Sequence, residues 1–145
     1  MTQANEEVAL TFPADGGCFG CSASNAQGLR LTFRRRGDSV RVRHTIADHF
    51  HPAPGIAHGG IVATLLDEVS CAAVFFVRGQ MVVTGELSVR YERPCPVGRA
   101  LDLEAQVTGE HARYLVVEAV LCEDGQVLAR SHGKFFPQAR AEAAP

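Results

Sequence analysis

Apolar and polar positions along the chain change period twice. Leu29, Leu31 and Phe33 alternate with Arg30 and Thr32, and Val40-Arg41-Val42-Arg43 repeats the alternation after Gly37-Asp38-Ser39. A period of two turns one side of an extended segment toward a core, so these runs predict two strands joined as a hairpin. From His49 to Gly60, two prolines, three glycines and three histidines break any regular pattern and predict a shaped loop. Ile61 to Val77 then lacks Gly and Pro and predicts one helix. At 3.6 residues per turn, Thr64, Asp67 and Cys71 fall on one narrow stripe, while most of the remaining circumference is apolar. Such a helix needs other elements around it.

From Val82 the period returns to two. Val83, Gly85, Leu87, Val89 and Tyr91 alternate with Thr84, Glu86, Ser88, Arg90 and Glu92 until Pro94-Cys95-Pro96-Val97-Gly98, which reads as a turn. Leu101, Leu103, Ala105 and Val107 continue the alternation, and two further runs, Arg113 to Cys122 and Gln126 to Phe136, flank the hairpin signal Glu123-Asp124-Gly125. The tail from Gln138 to Pro145 predicts frayed chain. The expected order is therefore two strands, one buried helix and four strands in a meander, within a single domain over 1–145 whose core spans about 18–137. An α+β arrangement in which an antiparallel sheet curls around the helix buries both apolar surfaces at once. Its open strand edges predict a homodimer formed by edge pairing, with a dimer of dimers as the larger alternative.

Composition narrows the class. At 145 residues, 46% hydrophobic and 21% charged, the chain fits a soluble globular domain rather than a disordered or fibrous one. A net charge of −2 gives no general pull toward nucleic acid or an anionic membrane. The apolar stretch at 61–77 is marginal for a bilayer span and carries Asp67 and Glu68 in its middle. Met1 to Glu7 is polar and acidic, without the basic and apolar regions of a secretory leader. With an odd count of five cysteines, the expectation is reduced thiols in the cytoplasm.

The chemistry concentrates at His58-Gly59-Gly60 and the helix that follows. A helix start exposes unpaired N–H groups with partial positive charge, and glycines let a ligand approach them. An oxyanion forming on a carbonyl would find donors at Gly59 and Gly60. Asp67, a carboxylate on an otherwise apolar helix, is costly without a function. It lies roughly 10 Å along the axis from Gly60, too far for both to hold one carbonyl within one subunit. A site shared across a dimer removes the difficulty. Glu68 is the rival carboxylate, about 100° around the helix. For His58, ordering the loop by hydrogen bonding is the expected role ahead of acid–base work.

The run HGGIVATLLDE, preceded by PGIA and followed by TGELSVRYERPCPVG, resembles the hotdog-fold thioesterases related to the phenylacetate-pathway acyl-CoA thioesterase. The upstream CFGCSASNAQGLRLTF resembles a subgroup opening with Cys-x-x-Cys, Asn and Gly-Leu, so the likeness covers roughly 18–136. It implies the hotdog fold, hydrolysis of an acyl-CoA to free acid and CoA, Gly59 N–H as donor to the thioester oxygen, and Asp67 as general base or nucleophile. It further implies a water-placing or carboxylate-placing role for Thr84, although the alternation assigns Thr84 to the polar face. Where many relatives carry Asn or Gln in the loop, this chain has His51-Pro52, so His51 is the candidate for that contact. Arg90 and Arg93, with Arg99, flank the Pro-Cys-Pro turn as candidates for binding CoA phosphates. No cofactor is expected.

Cys18 and Cys21 have the spacing of half a zinc site. Because no second such pair exists, a turn with small thiols and no metal is the expected reading, with His44, His49 and His51 as the residues that would complete a site. Two other functions stay open: a hydratase or dehydratase using a loop histidine, suggested by His49-Phe50 and Pro54-Gly55, and a non-catalytic acyl-CoA or small-molecule binder.

Overall fold

The computed structural model describes residues 6–11 and 16–139. The elements run β1 (Val8–Leu10), β2 (Phe33–Arg36), β3 (Ser39–Thr45), α1 (Gly59–Arg78), β4 (Val82–Tyr91), β5 (Ala100–Glu110), β6 (Leu115–Glu123) and β7 (Gln126–Pro137). They form one antiparallel sheet in the order β1-β2-β3-β5-β6-β7-β4, with α1 packed against β2 through β7. This is the hotdog arrangement that the resemblance implied. Most of the expected tail, from 140 onward, lies outside the described residues.

The helix forms where the pattern placed it, extended by the two glycines at its start. Val62, Leu65, Leu66, Val69, Ala72, Ala73 and Val74 are almost fully buried against Val40, Val42, Leu101, Leu103, Val117, Leu121 and Phe135 of the sheet. Each large apolar side chain buried this way contributes at most about 1.5–3 kcal/mol. By length and composition α1 would also suit a bilayer, but 44% of its most apolar window is buried inside the chain, as in the core helix of a sheet protein. Gly79, in the left-handed conformation at φ 71°, closes the helix by donating its N–H to Phe75 O.

Three local expectations hold in detail. Glu123 opposes Gln126 across a two-residue turn whose Asp124 and Gly125 both have positive φ, 48° and 80°. Arg36 opposes Ser39 across Gly37-Asp38. Leu29, Leu31 and Phe33 are buried while Arg30 and Thr32 are exposed. The strand there is nevertheless shorter than the alternation predicted. Leu29 N and Leu31 N donate to Phe19 O and Gly20 O instead of joining a ladder, and regular pairing begins at Phe33.

The four-strand meander is a misreading. β5, β6 and β7 are consecutive neighbours, but β4 pairs with β7 at the far edge while β5 pairs with β3. The Pro-Cys-Pro segment is thus a crossover rather than a turn. It is pinned along its course: Glu92 N and Arg93 N bond Leu128 O, Ala57 N bonds Cys95 O, Val97 N bonds Gly55 O, and Gly98 N bonds Ile46 O. Those bonds satisfy backbone groups that an irregular segment would otherwise bury unpaired. They also strap the 53–57 loop in front of α1. β4 is left as a long edge strand, with Met81, Val83 and Tyr91 each about half exposed or more.

Candidate active site

The helix start is shaped by His58. As N-cap it has extended backbone, φ −61° and ψ 134°, and its Nδ1 accepts the Gly60 N–H at 2.9 Å. A side-chain cap of this kind stabilises a helix by about 1 kcal/mol. His58 therefore orders the loop, as expected, and in doing so removes Gly60 from the set of donors. The Gly59 N–H has no partner among the described residues. Of the two glycine amides considered from the sequence, only that of Gly59 is open to a ligand. His58 N donates to Phe50 O at 2.8 Å, fixing the histidine-rich loop against the helix start.

Tyr91, the last residue of β4, secures the same corner. Its hydroxyl donates to Gly59 O at 2.7 Å, and a Cβ on Gly59 would meet the ring at 3.6 Å. Sequence reasoning missed this residue in the site. Its place at the end of the alternating run was visible, but the strand's position beside the helix start was not.

Eight residues along α1 from Gly59, Asp67 is held from the opposite end of β4. Thr84 Oγ1 donates to Asp67 Oδ1 at 2.5 Å. The assignment of Thr84 to the polar face is corrected here by a β-bulge. Thr84 opposes Phe135 and Glu86 opposes Lys134, leaving Gly85 as the extra residue. One extra residue reverses the alternation, so Thr84 joins Leu87 and Val89 on the helix side while Val83 turns outward, 50% exposed. A Cβ on Gly85 would sit 2.2 Å from Phe136 Cε2, so any larger residue there must displace that ring. Cys71, the third member of the stripe, lies 3.7 Å from Thr84 Oγ1. Burial, then the charge of Asp67, pushes its thiol up to about 12, so Cys71 stays protonated near neutral pH and is no nucleophile. Asp67 Oδ2 has no partner among the described residues.

Glu68 has different company. It packs under the Cys18-Phe19-Gly20-Cys21 turn, with both carboxylate oxygens 3.9 Å from Cys18 Sγ. Burial, then the neighbouring Asp67, raises it above the usual carboxylate range. His51 is exposed on the loop and makes no hydrogen bond to Asp67 or Gly59 among the described residues. Arg90 and Arg93 are exposed near Tyr91 and form no ion pair among the described residues, whereas Arg99 is engaged by Glu123 at 2.9 Å. A concavity of about 670 Å³ lies on the outer sheet face beside Arg41, Arg43, Asp102 and Glu104. None of its lining residues is on α1.

Residues 54–130, which include the glycine helix start, Asp67 and Thr84, match the family model of the thioesterase superfamily. The chain belongs to the thioesterase superfamily. This superfamily member is 31% identical over 86 residues to the acyl-coenzyme A thioesterase THEM5 of Mus musculus, covering 58% of the present chain and 34% of that protein. It spans about a third or less of the lengths of the curated relatives it matches. Among solved structures, a thioesterase superfamily protein aligns with TM-score 0.72 and 30% identity, covering 79% of this chain and 56% of the other. A thioesterase-type protein of Streptococcus pneumoniae TIGR4, solved with coenzyme A, aligns with TM-score 0.65 and 20% identity, covering 72% and 81%. At that identity the likeness is one of fold.

Proposed function

We propose that this chain acts as an acyl-CoA thioesterase in a homodimer, each site combining Asp67 and Thr84 of one subunit with the Gly59 N–H of the partner subunit. The observation that carries the reading is the anchoring of the two half-sites to opposite ends of one free edge strand. Thr84 ties Asp67 to the start of β4, and Tyr91 ties the helix start to its end. Six or seven extended residues separate those ends by roughly 20 Å. Antiparallel pairing of β4 with a second copy, centred near residues 87 and 88, would bring each end beside the opposite end of the other strand, about 5 Å away. The open edge and the exposed Met81, Val83 and Tyr91 supply the surface for that pairing.

In such a site, Asp67 Oδ2 is free to take a proton from water while Thr84 holds Oδ1. The water oxygen then bonds to the thioester carbon, and the carbonyl oxygen gains negative charge toward the Gly59 N–H. The C–S bond breaks, the acid forms, and the thiolate takes up the proton. Direct attack by Asp67 on the carbonyl, giving an acyl anhydride that water cleaves, uses the same groups. Arg90 and Arg93, which have no carboxylate partner among the described residues, suit the CoA phosphates. The curated relative's activity and the motif's likeness to the phenylacetate-pathway enzymes support the substrate class.

The test is steady-state thiol release from aromatic, short-chain and medium-chain acyl-CoAs. Hydrolysis of at least one class is expected. Tight binding of every class without turnover would favour a binding protein, and loss or gain of a double bond without thiol release would favour a hydratase or dehydratase.

A further inference from the structure

The turn Cys18-Phe19-Gly20-Cys21 is closed by Ser22 N donating to Cys18 O at 3.0 Å, and it places both thiols over the middle of α1. There the Cys18 and Cys21 Sγ atoms and a Glu68 carboxylate oxygen all lie within 4.8 Å of one another. We propose that Cys18, Cys21 and Glu68 form a binding site for one divalent cation of the zinc class, with the fourth coordination position open. The sequence pointed to a metal-free turn, with His44, His49 or His51 as the residues that would complete a site; the third group beside the thiols is instead a carboxylate 47 residues beyond Cys21.

Three observations carry the proposal. The spacing is right: tetrahedral zinc with bonds of about 2.3 Å to sulfur and 2.0–2.2 Å to oxygen puts its donors about 3.5–3.8 Å apart. Cys18 Sγ to Glu68 is already 3.9 Å, so small rotations of exposed or half-buried side chains complete the geometry. The turn is also notched for the carboxylate. A Cβ on the buried Gly20 would lie 2.2 Å from Glu68 Cδ and 2.5 Å from Oε2. Finally, no Lys, Arg or His pairs with Glu68 among the described residues, so a half-buried carboxylate faces two thiols with no cation. Two sulfurs and one oxygen are a donor set suited to zinc rather than to magnesium or calcium.

Binding would displace the two thiol protons to solvent, and the two thiolates with the carboxylate would leave the complex with a charge of −1. The ion would staple the 16–31 segment, which leads into the sheet at Phe33, to the helix turn that carries Asp67.

The full chain, without an affinity tag, stripped by chelator and kept reduced, is titrated with zinc chloride and separately with cobalt chloride. One ion per chain is expected, with a thiolate-to-cobalt charge-transfer band and a raised unfolding temperature in the presence of zinc. Cys18→Ser with Cys21→Ser should weaken binding by at least about 100-fold, beyond the cost of losing an outer-shell partner. Glu68→Gln, which keeps the side-chain volume, should weaken it as well, and Cys122→Ser should leave it unchanged. Sub-stoichiometric uptake by the reduced wild-type protein, or a cobalt band that survives in the double serine variant, would overturn the proposal.

Discussion

Asp67 and Glu68 are adjacent, chemically alike and both half-buried on the same helix. The fold nevertheless places them in separate environments. Asp67 is held by a hydroxyl from the edge strand, its second oxygen has no partner among the described residues, and its side of the helix borders the edge of the sheet. Glu68, a third of a turn around, is roofed by the cysteine turn and raised above the normal carboxylate range by burial. The difference shows that a carboxylate's role here follows from which strand or loop crosses the helix at that azimuth. Residue type and sequence position alone do not separate the pair.

The largest expected effect breaks the symmetry between them. Asp67→Asn should lower kcat by about 10²- to 10⁴-fold, the range of a lost general base, with an unchanged fold by circular dichroism. Glu68→Gln should change it by less than about tenfold. An equal or larger loss in Glu68→Gln would exchange their roles.

A smaller effect tests the hydroxyl that distinguishes Asp67. Thr84→Val keeps the shape and removes the donor, and a hydrogen bond to a charged group is worth about 1.5–3 kcal/mol. Because Thr84 is exposed, the lower end applies, about tenfold in kcat with little change in KM. An unaltered rate would make Thr84 a bystander. Smaller still is the effect of Glu68 on stability in chelator-treated protein. A carboxyl whose folded value is raised contributes stability that is fully present below its ordinary value near 4.5 and is lost as pH rises through the folded value. Wild-type Tm should therefore fall relative to Glu68→Gln as pH rises above about 4.5; parallel profiles would contradict the burial argument.

Local signals were legible in the sequence and long-range ones were not. Helical period fixed α1 and the Thr64-Asp67-Cys71 stripe, and Asp124-Gly125 marked its hairpin. The neighbour of β4 was hidden, because pairing with β7 depends on where a crossover of eight residues, Glu92 to Arg99, leads the chain. Thr84 was assigned to the wrong face for want of one bulge. A signal existed there, since a lone glycine inside an alternating run marks such irregularities. The meeting of Glu68 with Cys18, 50 residues apart, carried no local trace. Neither did the capture of Gly60 N by His58, which reduced two candidate donors to Gly59 alone.

The central claim is that one thioester is served by two chains, and subunit complementation tests it directly. Gly59→Pro removes the free N–H, while proline suits the first helical position and the extended His58 before it, so the helix should persist. Alone it should lose about 10²- to 10³-fold in kcat, as on removal of one oxyanion donor. Asp67→Asn and Gly59→Pro chains are then unfolded together, refolded together and assayed. A shared site predicts recovery, because each mixed dimer regains one intact pair of Asp67 and the partner's Gly59. A mixture no more active than the two variants refolded separately would contradict the account.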